Sequence, residues 1–360
     1  MTNDSLEDGF IERVTHFDGA RDHTRPEDRL RAVRKAAEAF HERMTSAAPV
    51  RFYRSATLAR VPYPTRYALR DACSVPMPFL HIVNRLFIVQ IDFAGRTRTL
   101  LLSPSDLRRN AETPFFKDLS RAMGPFASLG EKVIAPIAAT VEERLAELGI
   151  APELVDYISY DHLHTQDVRR WLGSASHAGY FPNAKLLVMK REWQGAHGLL
   201  PTQSYWYCPH GLDGVPPERV VELDGDVLVG GSLALVATPG HTEGNHSFVA
   251  RTAAGVMVTS ENGVACDSFA PSKSAIPGVA AYAKRTGAEV VLNGNTLENS
   301  VDQYISMVAE KTIAGRSPTN PDFPNMVCSS ELSAYWAFPG IRPTFEVGDL
   351  AFGEPVLVKT

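Results

Sequence analysis

Hydrophobic positions along this chain first follow a helical spacing and then a shorter one. In RPEDRLRAVRKAAEAFHERMTSA, Leu30, Val33, Ala37 and Phe40 fall on one helical stripe, with a start at Pro26–Glu27. Residues 1–50 therefore read as an N-terminal helical arm whose stripe packs on a main body. From about residue 51 the period shortens. VRFYRSATLARV and FLHIVNRLFIVQIDFAG are strand-like, and RTRTLLLSP follows a Gly turn. A helix is expected over 137–149, IAATVEERLAELG, closed by Gly149. APELVDYISYDHLH reads as a short loop and a strand ending at two histidines, and AKLLVMKREW (184–193) as another strand.

VVELDGDVLVGGSLALVATPGH supplies two or three more strands between Gly turns, and SFVARTAAGVMVTSEN a hairpin with a tight Ala-Ala-Gly turn. GVAAYAKRTG and NSVDQYISMVAEKTIAG have helical spacing on either side of an expected strand, AEVVLNGN. Strands first, then strands mixed with helices, twice over, predict an α/β layered fold in which two packed sheets are covered by helices. The domain is expected to span 51–313. Residues 314–360, rich in proline and aromatics, are expected to form an irregular extension packed on it.

Composition narrows the partners. The 360 residues are 44% hydrophobic and 21% charged, enough to bury a sizeable core. With 36 basic and 41 acidic residues the net charge is −5, which argues against a nucleic-acid partner, since phosphate binding needs a basic face. No apolar run approaches the ~20 residues that span a bilayer. The acidic start, MTNDSLEDGFIERVTHFDG, is unlike a signal peptide. Cys73, Cys208, Cys266 and Cys328 lie far apart without a C-x-x-C pair, so reduced thiols in a cytoplasmic protein are expected.

The candidate chemistry is in two strings. His162-Leu163-His164 leaves a strand with alternate residues pointing the same way, which lets two imidazoles converge on one ion. In a chain with 11 histidines such a triplet also arises by composition, and its bland reading is two histidines at a strand end. VATPGHTEGNHS adds a sharp Thr-Pro-Gly turn that presents His241 at a strand tip.

Together these strings resemble the metallo-β-lactamase fold superfamily, whose signature is H-x-H-x-D-H with a downstream TPGHTxG. The resemblance runs through about 80–310 and implies an αββα sandwich of two mixed sheets, with metal held in a cleft at one edge. It matches His162, His164 and His241 to the three histidines of the first metal site. It also shows departures. Gln166 and Asp167 stand where Asp and His belong, Glu261 replaces the bridging Asp, Asn295 replaces the closing His, and LLLSPSD replaces an early LvDtG-like turn.

Three imidazoles and Glu261 make a four-ligand set for a single divalent ion, Zn²⁺ before Fe²⁺ or Mn²⁺, whereas a second ion would rely on Asp167 and carboxamides. Asp167 is also the candidate to orient or deprotonate water and to protonate a leaving group. Its alternative is a carboxylate at the N-terminus of the helix TQDVRRWLG. The expected activity is a metal-dependent hydrolase that turns activated water on an ester, lactone, thioester or amide of a small molecule. Two other readings stay open: a non-haem iron oxygenase or oxidoreductase on the same fold, and a non-catalytic relative that keeps the cleft for a ligand.

Overall fold

A computed structural model of the chain describes residues 9–122, 133–294 and 300–358. Two sheets dominate it. One has six strands in the order Ile11–Arg13, Val227–Val229, Leu233–Ala237, His246–Thr252, Gly255–Ser260 and Met326–Cys328, antiparallel except for the last pair. The other runs Ala351–Phe352, Phe52–Pro64, Phe79–Phe93, Arg96–Leu102, Val155–Ser159, Lys185–Met189 and Val220–Leu223, and its last four strands are parallel. Ser330–Ser333 completes it by pairing with the first half of Phe79–Phe93.

The apolar runs of these strands alternate between two cores. Leu100, Leu102, Leu187, Met189, Leu233, Leu235, Phe248 and Ala250 meet between the sheets. Their neighbours face outward: Leu101, Leu186 and Val188 pack under Val141, Leu145 and Trp171, while Ala234, Val236 and Val249 pack under Phe40 and Val308. Residues i and i+1 point to opposite faces, and a strand buried on both faces has to be apolar at both. This is the expected sandwich of two mixed sheets with helices outside. The stripe of Pro26–Thr45 is seated as predicted, with Pro26 in the first turn and Val33, Ala37 and Phe40 buried.

Several elements differ from the sequence reading. The helix expected over 137–149 occupies Val141–Glu147, because Thr140 and Glu143 form a reciprocal capping box that starts it later. AKLLVMKREW is a strand only through Met189, and Lys190–Ala196 is helical. AEVVLNGN is not a strand over 288–294. Val290 and Val291 are buried, but the Val291 N–H donates to the Ser268 carbonyl, in the short helix Cys266–Phe269, and the Asn293 N–H to the Asn262 carbonyl, in a loop, neither of them in a strand. The place beside Gly255–Ser260 belongs to Met326–Cys328. The terminal regions are woven in as well. Residues 11–13 and 326–328 are strands of the six-stranded sheet, and 330–333 and 351–352 belong to its partner.

Candidate metal centre

Strands Val155–Ser159 and Leu233–Ala237 belong to different sheets and carry loops that meet at one edge of the sandwich. The backbone ties the loops together, since the His246 N–H donates to the Asp161 carbonyl at 2.9 Å. The ligand-capable atoms of His162, His164 and His241 all lie within 4.8 Å of one another. A tetrahedral ion with Zn–N bonds of ~2.0–2.1 Å spaces its nitrogens by about 3.3 Å, inside that limit. The ring centroids stand 4.8, 4.4 and 5.2 Å apart, with the planes strongly inclined rather than stacked.

Chemistry at the nitrogens suits a cation. Burial, then the neighbouring imidazoles, hold His164 well below the usual histidine range, and burial and His162 do the same for His241. Both are therefore neutral bases near pH 7, the ligating form of imidazole. His164 also has a buried Nδ1 without a hydrogen-bond partner among the described residues. His162 differs. Burial, the largest single influence, lowers its pKa, but the Asp161 carboxylate together with Glu261 and Glu192 raises it on balance. Asp161 Oδ1 accepts from both the backbone N–H and Nδ1–H of His162 at 2.9 Å, which fixes the tautomer and leaves Nε2 for the site. Its Oδ2 accepts from Ser329 Oγ at 2.5 Å.

A second buried carboxylate braces the two loops against each other. Glu192 accepts from the Leu163 N–H at 2.7 Å and from Thr242 Oγ1 at 2.5 Å. Burial raises its pKa. The glycines of TPGHTEG have a steric reason here. A Cβ on Gly240, at φ +138°, would stand 2.2 Å from Gln303 Cα, and one on Gly244 would stand 2.1 Å from the Glu192 nitrogen. Only bare backbone lets the His241 loop settle between these neighbours.

The expected carboxylate ligands are placed otherwise. Asp167 follows Thr165, which has φ +62°, and does not line the cavity over the imidazoles. Its Oδ1 accepts from the Arg169 N–H at 3.0 Å and Nε at 2.9 Å, and its Oδ2 accepts from the same guanidinium. With both oxygens engaged by Arg169, Asp167 meets the start of the short helix Arg169–Leu172 and does not join the imidazoles. Glu261 faces the same cavity as the histidines but is outside the 4.8 Å set; burial and the Asp161 carboxylate push its pKa up to about 8. Among the described residues no fourth His, Cys, Asp or Glu joins that set. Gln166 lines the cavity with a buried Oε1 that has no partner among the described residues. Asn295 lies outside the described residues.

The cavity over the imidazoles measures about 600 Å³. Val61, Ile82, Phe115, Phe116, Leu119 and Trp206 give it an apolar wall. Trp206 stacks on Phe115 at 4.7 Å. Of the other histidines, His246 is buried and bonded to Ser159, His81 stacks on Tyr335 at 4.0 Å, and His197 and His210 are exposed outside the cavity. Asp161 and Glu192 were missed in the sequence. Asp161 is signalled only by standing immediately before H-x-H, and Glu192 has no local signal.

No family model matches the sequence, and no curated protein matches it. Solved structures do. A probable metal-dependent hydrolase from Staphylococcus aureus is similar at a TM-score of 0.51 and 11% identity, over 72% of this chain and 83% of that one. A dizinc quorum-quenching lactonase in complex with a product, N-hexanoyl-L-homoserine, is similar at a TM-score of 0.50 and 10% identity, over 86% of this chain and 97% of that one. The likeness is one of fold. With two mixed sheets, helices on both outer faces and histidine loops at one edge, the chain has the metallo-β-lactamase fold in a divergent form.

Proposed function

We propose that this protein is a metal-dependent hydrolase acting on an ester, lactone, thioester or amide carbonyl of a small, partly apolar molecule. The supporting observation is the convergence of three imidazoles, His164 and His241 buried and His162 half-buried, from two loops beneath a cavity with an apolar wall. We assign one divalent ion, zinc, to His162, His164 and His241. Asp167 is occupied by Arg169, which leaves a second ion little beyond carboxamides, a poor set for zinc. Glu261, on the cavity wall, is the nearby carboxylate available to complete the coordination or to face the substrate.

The chemistry such an ion supplies when bound is hydroxide near neutral pH, from water whose pKa falls to about 7, together with polarisation of the carbonyl. The chain's own residues do the rest. Asp161 holds the His162 imidazole in one tautomer, and Glu192 holds the two ligand loops in register. Trp206, Phe115 and Phe116 exclude water from one side of the cavity and seat the apolar part of the substrate.

Elemental analysis of the purified protein is expected to give about one zinc per chain, and a panel of esters, lactones, thioesters and amides is expected to reveal hydrolysis. Lactones come first, because one of the similar folds is a lactonase. His241→Ala is expected to lose both metal and turnover. Stoichiometric iron with oxygen uptake, or no metal at all under zinc supplementation, would overturn the reading.

A further inference from the structure

Helix Ser300–Ala314 packs on the outer face of the six-stranded sheet, and its buried acid is connected by hydrogen bonds to the histidine loop. Glu310 is fully buried and does not line the cavity. Its Oε1 accepts from Ser247 Oγ at 2.8 Å, Ser260 Oγ at 3.0 Å and Asn262 Nδ2 at 2.6 Å. These donors stand near the start of His246–Thr252, at the end of Gly255–Ser260, and in the turn beyond it. Asn262 Nδ2 also donates to the Thr238 carbonyl at 3.1 Å, and Asn262 Oδ1 accepts from the backbone N–H of His241 at 3.3 Å. The same helix holds this region from two more points: Ser306 Oγ donates to the Pro239 carbonyl at 2.8 Å, and Gln303 Nε2 to the Asn262 carbonyl at 3.2 Å.

We propose that Glu310 is a positioning residue for His241, acting through Asn262. A fully buried acid is a costly way to fill a sheet–helix contact, and an apolar side chain packs such a contact without that cost. What the acid adds is register. A single oxygen binds donors from three segments, and one of those donors belongs to the amide that holds the His241 backbone. Displacing Asn262 frees the turn that aims the imidazole.

This role rests on His241 being a metal ligand, and two readouts keep the two ideas apart. In zinc competition titrations against a chromophoric chelator, Glu310→Ala is expected to weaken binding by about ten- to one-hundred-fold, the range for losing an outer partner of a ligand. Asn262→Ala is expected to do the same while leaving Ser247 and Ser260 on Glu310. Glu310→Gln keeps an acceptor at Oε1 and stays close to the parent. Asp267→Asn is the control, a buried acid bonded to Ser274 and Thr344 with no link to the loop; it lowers the melting temperature without changing zinc affinity.

Parent-like zinc binding by Asn262→Ala, or equal weakening by Asp267→Asn, overturns the proposal, and Asn262→Ala decides it even where Glu310→Ala does not fold. If the parent itself takes up no zinc, the metal-centre reading fails alone. Hydrogen exchange over residues 238–247 then decides: faster exchange in Asn262→Ala but not in Glu310→Gln supports positioning, and equal exchange in all three proteins overturns it.

Discussion

Replacing Glu310 by Gln changes how stability depends on pH. Burial, opposed by hydrogen bonds from Asn262, Ser247, Ser260 and Thr238, raises the Glu310 pKa from its ordinary 4.5 to about 7 in the folded chain. Between these values the folded protein keeps a proton that the unfolded chain has released, so stability falls as pH rises. Below 4.5 the contribution is fully present; it is lost as pH rises through about 7. At 1.36 kcal/mol per pH unit the whole gap amounts to roughly 3 kcal/mol, of which about 2.5 kcal/mol falls between pH 5 and 8. Glutamine carries no titrating proton, and the remaining groups titrate alike in both proteins. Urea unfolding followed by tryptophan fluorescence at pH 5, 6, 7 and 8 is therefore expected to show the variant gaining about 2.5 kcal/mol on the parent across that range. Stability curves that stay parallel from pH 5 to 8 would refute a raised Glu310 pKa.

Further outcomes are expected for other variants. Asp167→Asn should keep its metal by elemental analysis while losing about 1–3 kcal/mol of stability with the Arg169 bonds, whereas His164→Ala should lose metal; depletion in the Asp167 variant would restore it as a ligand. Gln166→Ala should likewise retain most of its metal. Gly244→Ala places a methyl against the Glu192 backbone, so zinc affinity should drop along with about 1–3 kcal/mol of stability, the usual cost of overpacking, and unchanged affinity would contradict the tight seat of this loop. Leu235→Ala, in the core between the sheets, should cost about 2–5 kcal/mol in chemical denaturation without altering metal content.

Much of the fold was legible because it is written in local periods. The stripe of Pro26–Thr45, the hairpin His246–Thr252 with Gly255–Ser260, and the apolar runs around Ile88, Leu101 and Leu187 each carry their pattern in adjacent residues. Helix starts were blurred where a cap outweighed the apolar pattern, as at Thr140. AEVVLNGN shows the other limit. Val290 and Val291 are buried as in a strand, but a strand needs a free sheet edge, and Met326–Cys328 pairs there instead. No local feature of residues 288–295 reports that competition.

The candidate site divides in the same way. Taken alone, the sequence pointed to His162, His164 and His241 and to the turns that present them, because H-x-H spacing and a Pro-Gly turn act over a few neighbouring residues. Only the tertiary structure decided what each carboxylate does. Asp161 orients His162, Asp167 is held by Arg169, Glu192 bridges the loops of Leu163 and Thr242, and Glu310 reaches Asn262 from 48 residues away. A buried carboxylate takes its role from whichever donors reach it through space, and that is settled when the two sheets close on each other.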